Sequence, residues 1–143
     1  MISIVTPTFN RADSLKNCIE SVMQQGFSGL ELIVIDDGSS DCTGELLDKF
    51  KERYTNMIVI SNPGNFGVNY SRNRGIEQAS GKFILFLDSD DRLVDGCLSR
   101  IGDTINSNPD RNHFLFLVSD RMEESRNIVH CRQIYYEDWI KQP

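Results

Sequence analysis

The sequence has little of what metal-clipped, secreted or membrane-spanning proteins need. Its 143 residues include four cysteines, none in a Cys-x-x-Cys pair, and two histidines that form no zinc pattern with them. These spacings exclude a zinc finger and favour free thiols in a reducing compartment. The longest apolar runs, Phe83–Leu87 and Phe114–Val118, are far shorter than the ~20 residues of a membrane span. With no basic, apolar leader after Met1, we expect a soluble, cytoplasmic chain.

Basic side chains are also in short supply. Lys and Arg number 15 against 21 Asp and Glu, which gives a net charge of −6. Such a surface repels phosphate backbones, so the sequence predicts no nucleic-acid binding. A phosphorylated small substrate would need local help from a cation. The apolar share of 39% and the charged share of 25% are those of an ordinary globular domain.

Short apolar runs alternate with helical patterns along most of the chain. The predicted strands are Ile2–Thr6, Leu30–Ile35, Met57–Ile60, Phe83–Leu87 and Phe114–Val118. Pro7 is predicted to end the first strand. Predicted helices lie between the strands, the third at Val68–Ala79 and the fourth at Gly96–Ile105. This alternation predicts βαβ units and a mainly parallel α/β sheet covered on both faces.

The helix starts and the strand ends are the next predictions. Asp13 or Ser14 is expected to cap the first helix, and Ser40 or Asp41 the second. In open parallel sheets, ligands bind outside the carboxyl ends of the strands. The segments of interest are therefore Pro7–Arg11, Asp36–Asp41 and Asp88–Asp91, which follow the first, second and fourth predicted strands.

Asp88-x-Asp90 follows the most hydrophobic predicted strand and is a candidate metal site. Two carboxylates one residue apart on a turn can hold a hard divalent cation through oxygen. Asp91 adds a third acid, and three such groups repel one another unless a cation neutralises them. Roughly one Asp-x-Asp match is expected by chance, so the position carries the prediction. The alternative is a solvated turn with helix-capping aspartates.

Asp37 is a candidate for recognising a nucleobase. An ionised carboxylate only accepts hydrogen bonds. At a strand end, Asp37 would therefore favour the imide N–H of a uracil- or thymine-like base, or the N–H edge of guanine. The alternative is a simple turn in which Asp41 caps the following helix.

Two further segments carry candidate binding side chains. Phe9 is placed to stack on a base, with Thr8 and Asn10 offering polar edges; the alternative is a core position for Phe9. Arg72 and Arg74 fall early in a predicted helix, where guanidinium forks suit phosphate or a base edge. The alternative is that both arginines belong to a solvated helix face.

Four stretches together resemble the family-two glycosyltransferases, inverting enzymes that use nucleotide sugars on the GT-A fold. They are Ser3–Asn10, Val34–Asp41, Ser71–Ile76 and Gly81–Asp91, in the family's order and at about its spacing. The resemblance implies a three-layer, Rossmann-like fold with a mainly parallel sheet, cut short at the C-terminus. Residues 1–118 would form the nucleotide-sugar-binding half, and residues 119–143 the incomplete start of the acceptor side.

The resemblance also implies roles for individual residues. Asp90 would bind Mn²⁺ or Mg²⁺, Asp88 would face the ribose or the water shell of the metal, and Asp91 would assist. The remaining donor-binding residues are Pro7, Thr8, Phe9, Asn10 and Asp37 around the base, with Arg72 beside them.

The implied reaction is inverting transfer of a sugar, from a UDP-sugar by preference, to a saccharide or lipid-linked acceptor in polysaccharide biosynthesis. The family's general base lies further past the metal motif than Glu137-Asp138, so we expect it beyond Pro143. The alternative is a non-catalytic module that binds nucleotide sugar without turnover. The implied location is the cytoplasm, at the inner face of the membrane, with no transmembrane segment.

Overall fold

The computed structural model describes residues 1–111. The strands are β1 (Ile2–Thr8), β2 (Leu30–Asp36), β3 (Met57–Ser61) and β4 (Phe83–Phe86). The helices are α1 (Ala12–Met23), α2 (Thr43–Arg53), α3 (Val68–Gln78) and α4 (Cys97–Asn106). One compact unit comprises Met1–Asp95, and a second begins at Gly96. The predicted strand Phe114–Val118 and the predicted boundary at residue 118 lie outside the described residues.

The first unit is a parallel sheet with strand order β3-β2-β1-β4. The chain moves outward from β1 to β2 to β3 and then returns across the sheet to β4. Right-handed crossovers therefore place α1 and α2 on one face and α3 on the other. The contacts agree, since α1 packs against α2 while α3 packs against β1 and β2. The order of the strands reverses between β1 and β4, which makes their carboxyl ends a topological switch point.

The core lies on both faces of β1 and β2. Val5, Ile33 and Ile35 form a buried cluster on one face, and the alternate residues of these strands are buried on the other. Helix α3 comes very close to the first cluster at Gly75. A Cβ atom added there would lie 2.3 Å from Cγ1 of Val5 and 2.9 Å from Cδ1 of Ile35. Glycine is therefore required for the backbone of α3 to rest directly on the sheet.

The prediction that Pro7 ends the first strand is wrong, because β1 continues to Thr8. Pro7 and Thr8 remain paired with β2. The carbonyl of Val5 accepts a hydrogen bond from Leu87 N–H, which follows β4, and the carbonyl of Thr8 accepts one from Asp37 N–H, which follows β2. The missing N–H of Pro7 therefore faces β4, whose pairing with β1 ends at Val5. Proline is tolerated there because no ladder hydrogen bond is lost.

The predicted cap of the first helix is also wrong. The N-cap position is Arg11, which has no side-chain cap, and Asp13 lies in the first turn. The carboxylate of Asp41 instead lies 3.4 Å from the backbone N–H of Ala12 and accepts a 3.0 Å hydrogen bond from Thr43 N–H. The N-cap of α2 is Cys42 rather than the predicted Ser40 or Asp41. Asp41 still contacts the starts of both helices, since the loops after β1 and β2 are adjacent.

The prediction that the sheet is covered on both faces is wrong for β4. Phe83 and Leu85 are half-buried, whereas Ile84 is 38% and Phe86 44% exposed. Strand β4 stands at the edge of the described sheet, paired on one side with β1. An apolar run alone does not distinguish a central strand from an edge strand.

Glu31 of β2 joins β1 to the segment that precedes β4, near the amino-terminal ends of these strands. Its carboxylate accepts hydrogen bonds from the Ser3 hydroxyl at 2.5 Å, from Ser80 N–H at 2.7 Å and from Gly81 N–H at 3.1 Å. Burial acts to raise the pKa of Glu31, but these donors outweigh it and lower the pKa below its usual value. The network fixes where β4 enters the sheet beside β1.

Candidate functional site

A cleft of about 450 Å³ opens at the carboxyl ends of the strands, at the switch point between β1 and β4. Four chain segments contribute to it: those after β1, β2 and β4, and the start of α3 with the loop before it. Its walls are formed by Pro7, Thr8, Phe9, Arg11, Asp37, Asn65, Gly67, Val68, Ser71, Arg72, Asp88, Ser89 and Asp90. The cleft therefore brings together most of the binding residues predicted from sequence.

Asp37 is a buried residue of the cleft wall, and both of its carboxylate oxygens accept hydrogen bonds. Oδ1 accepts from the Asn62 side chain at 2.6 Å and from Phe66 N–H at 3.1 Å, and Oδ2 accepts from Gly67 N–H at 2.7 Å. Burial acts to raise the pKa of Asp37, but these donors, with the Ser71 hydroxyl, outweigh it and lower the pKa. Asp37 is thus ionised at neutral pH and holds the loop before α3 in place.

The segments after β1 and β2 are bound to each other beside the cleft. Asn10 has a left-handed backbone (φ 50°), and its side-chain oxygen accepts from Ser40 N–H at 2.8 Å and from Asp41 N–H at 3.3 Å. Gly38, with φ 79°, leaves no room for a Cβ, which would lie 2.6 Å from the Gly64 backbone. Asn10 does not line the cleft, and its side chain is committed to joining the two loops.

Phe9 and Arg72 both line the cleft, Phe9 from the segment after β1 and Arg72 from α3. Phe9 is 41% exposed, which excludes the core alternative. Arg72 pairs with Asp88 at 2.7 Å, and its guanidinium carbon lies 5.5 Å from the centroid of the Phe86 ring. Arg74 instead bonds the Ser61 carbonyl and the Asn62 side chain. The two arginines are therefore tied to specific partners rather than forming a solvated face.

The turn after β4 presents its carboxylates unequally. Asp90 lines the cleft and pairs with Arg11 at 2.5 Å. Asp91 is not part of the cleft wall, and its N–H bonds back to the Asp88 carbonyl at 2.9 Å. Burial, followed by the charges of Asp90 and Asp88, raises the pKa of Asp91. Cys18 lies near the same turn, and burial, followed by the charge of Asp91, raises the pKa of its thiol to about 12.

A divalent cation fits this site only with help from a ligand. Within residues 1–111, no three His, Cys, Asp or Glu side chains are grouped closely enough to hold a metal by themselves. Asp90 is half-exposed in the cleft, and its carboxylate already attracts a cationic group, the Arg11 guanidinium. Mg²⁺ commonly takes one or two protein carboxylates and completes its shell with phosphate oxygens and water. The residues present fit that kind of site.

Sequence reasoning gave Arg11 no role of its own within the Pro7–Arg11 segment, and it missed the loop before α3. Arg11 stands directly after the predicted base-binding stretch, yet its partner is 79 positions away. Asn65 and Gly67 follow β3, and no role was assigned to that segment from sequence. The rule that ligands bind beyond strand ends applies equally to β3, and applying it there would have found the loop.

The family assignment rests on the sequence as a whole. The profile described as "Glycosyl transferase family 2" matches residues 3–138. The chain belongs to this family. It is 40% identical over 101 residues to the GalNAc(5)-diNAcBac-PP-undecaprenol beta-1,3-glucosyltransferase of Campylobacter jejuni, with 70% of this chain and 33% of that protein covered. It is 42% identical over 108 residues to the minor teichoic acid biosynthesis protein GgaA of Bacillus subtilis, with 72% of this chain and 24% of that protein covered.

Solved structures that match this chain have the same fold. S. aureus TarS residues 1–349, in complex with UDP-GlcNAc, matches with a TM-score of 0.71 and 30% identity, covering 76% of this chain and 32% of that one. The predicted GT-A fold is confirmed. The chain spans between 13% and 36% of the length of the curated relatives it matches. Among the described residues, no helix is both long and apolar enough to cross a bilayer.

Proposed function

We propose that this chain forms the donor-binding part of an inverting, metal-assisted glycosyltransferase that uses a UDP-sugar. The acceptor is a saccharide or a lipid-linked glycan, and the general base lies beyond Pro143 in the complete enzyme. The enzyme acts in the cytoplasm, at the inner face of the membrane. The observation that carries the proposal is that Asp37 and the Asp88–Asp90 turn share one cleft at the switch point of the sheet.

The cleft has a base end and a phosphate end. Phe9 is an exposed aromatic ring that lines the same cleft as Asp37 and offers a surface on which a base can stack. Asp37 is kept ionised by its donors and so remains an acceptor for an imide N–H. Uracil carries such an N–H, and S. aureus TarS, a 30% identical neighbour, is solved with UDP and with UDP-GlcNAc. Both observations support a uridine donor.

The phosphate end lies between the two arginines. Arg11 and Arg72 bring guanidinium forks to the cleft opposite Asp90 and Asp88. Forks of this kind suit phosphate oxygens, and they offset the negative charge that the acidic turn places near an anionic donor. A divalent ion on Asp90, with Asp88 and Asp91 nearby, would supply Lewis-acid stabilisation of the departing nucleoside diphosphate. Helix α3 and the loop held by Asp37 orient the donor between these groups.

A second candidate function is a module that binds the donor without turnover. The cleft supplies groups for holding a donor, and no general base has been assigned among the described residues. Transfer or hydrolysis of UDP-sugars by the 143-residue chain with Mn²⁺ distinguishes the two. Turnover above background excludes the pure binder, and tight binding with no turnover supports it.

The test of donor binding is a thermal-shift titration with UDP, CDP, ADP and GDP, each with Mn²⁺, with Mg²⁺ and with EDTA. We expect UDP to stabilise the fold most, and only when a divalent cation is present, because binding to the folded state raises its apparent stability. A UDP shift that is indifferent to EDTA would contradict metal assistance. Equal shifts with all four nucleotides would contradict recognition of the base.

A further inference from the structure

Arg11 and Asp90, which both line the cleft, form an ion pair. Nη1 of Arg11 lies 2.5 Å from Oδ2 of Asp90, and both side chains are 51% exposed. Both residues line the cleft, one after β1 and the other after β4. The guanidinium therefore occupies the side of the Asp90 carboxylate on which a divalent cation would bind.

The backbone around Arg11 is fixed, whereas its side chain is not buried. The Arg11 carbonyl accepts from Leu15 N–H at 2.9 Å as the first turn of α1 forms. The preceding residue, Asn10, is tied to the loop after β2 through Ser39 and Ser40. A long side chain on a fixed backbone can exchange partners without moving the loop.

An exposed ion pair of this kind is easily displaced. Pairs at the surface contribute little to stability because water screens them and both side chains lose freedom. A dication with its own water shell carries twice the charge and competes for the same oxygen atoms. Once displaced, the guanidinium remains beside the bound ion and is free to bind phosphate oxygens with its fork.

We propose that Arg11 is the resident counter-ion of Asp90, which yields its place to a divalent cation and then binds the diphosphate of the donor. This inference rests on the proposed function. It assigns one residue two opposite effects: Arg11 competes with the metal while the cleft lacks nucleotide, and it supports the nucleotide once the metal is present. Neither a purely structural arginine nor a simple competitor has both effects.

The test is a pair of titrations on the 143-residue chain, comparing wild type with Arg11→Gln and Arg11→Lys. The first measures Mn²⁺ affinity alone, from the electron paramagnetic resonance signal of free Mn²⁺. The second measures UDP affinity by calorimetry at saturating Mn²⁺. Arg53→Gln is the matched control: it removes the same charge from the end of α2, at the opposite edge of the sheet.

We expect Arg11→Gln to bind Mn²⁺ alone about three- to tenfold more tightly than wild type, because a competing positive charge is gone. At saturating Mn²⁺ the same variant should bind UDP about fivefold or more weakly, because a phosphate fork is lost. Arg11→Lys should keep Mn²⁺ affinity near wild type and lose only part of the UDP affinity. Arg53→Gln should leave UDP affinity unchanged.

The outcomes distinguish a failure of this inference from a failure of the proposed function. Weaker binding in both titrations of Arg11→Gln makes Arg11 a structural residue, and tighter binding in both makes it a competitor only; either result overturns the inference and leaves the proposed function standing. No effect in either titration overturns it equally. Failure of wild type to bind UDP at saturating Mn²⁺ refutes the proposed function, and the inference with it.

Discussion

Replacing Asp37 with Asn tests whether its charge holds the floor of the cleft. In the wild type, Oδ1 accepts from Asn62 and Phe66, and Oδ2 accepts from Gly67. An asparagine can keep one oxygen for the first two donors. Its amide NH₂ group then faces the N–H of Gly67, and two donors oppose each other.

The expected loss follows from that single mismatch. A hydrogen bond to a charged group contributes about 1.5–3 kcal/mol, and leaving its donor without an acceptor adds a desolvation cost. Gly67 N–H has a second acceptor in the Asn65 side chain at 3.1 Å, which limits that cost. We therefore expect Asp37→Asn to lower the free energy of unfolding by about 1.5–3 kcal/mol at pH 7.

The pH dependence of this loss is the decisive part of the assay. The pKa of Asp37 in the folded protein lies below its ordinary value of 3.8, so the ionised carboxylate favours folding. That contribution is fully present above the ordinary pKa and is lost as the pH falls through the lower, folded-state pKa. Urea unfolding between pH 7 and pH 3 should therefore show a gap between wild type and variant that narrows below about pH 4.

Asp48→Asn is the matched control, since Asp48 is exposed on α2 and its replacement removes the same charge. We expect it to change stability by less than about 0.5 kcal/mol. The reasoning about Asp37 would be refuted by a gap that stays constant from pH 7 to pH 3. A loss at pH 7 no larger than that of the Asp48 control would refute it as well.

Three further predictions concern separate parts of the fold. Asp90→Asn should weaken Mn²⁺-dependent UDP binding tenfold or more, about 1.4 kcal/mol by calorimetry, and unchanged affinity would remove Asp90 from the site. Gly75→Ala should destabilise the fold by about 1–2 kcal/mol in urea, because the clash with Val5 exceeds the helix-propensity gain; equal or greater stability would contradict the close contact. Glu31→Gln should lower stability by about 1 kcal/mol while leaving UDP affinity intact, and a weakened affinity would show that the two edges of the sheet are coupled.

Much of the fold could be predicted from sequence because it follows from local patterns. The alternation of apolar runs and helical patterns gave four strands and four helices of the described range within a few residues. Asp37 and the Asp88–Asp90 turn were expected close together because the carboxyl ends of parallel strands lie on the same side of a sheet, and they line one cleft. Their roles toward a ligand stay predictions.

What could not be predicted depends on distant partners. Nothing near Asp90 in the sequence points to Arg11, and the donors that surround Asp37 come from residues 25 to 34 positions later. Phe86 is exposed on a strand that stands at the edge of the sheet formed by residues 1–111, a position that an apolar run does not encode. The prediction for Pro7 was wrong because the effect of a proline depends on whether its missing N–H would face a paired strand. At Pro7 that side faces β4, whose pairing with β1 has already ended at Val5.

The missing side chain at Gly75 has a consequence one helical turn away. Because α3 rests on Val5 and Ile35 without an intervening Cβ, the height of the whole helix above the sheet is set at that point. Ser71 and Arg72 lie four and three residues earlier, where the helix meets the cleft. A methyl group at position 75 would move these two residues away from the sheet. The absence of a side chain at Gly75 therefore sets the position from which Arg72 extends toward a ligand.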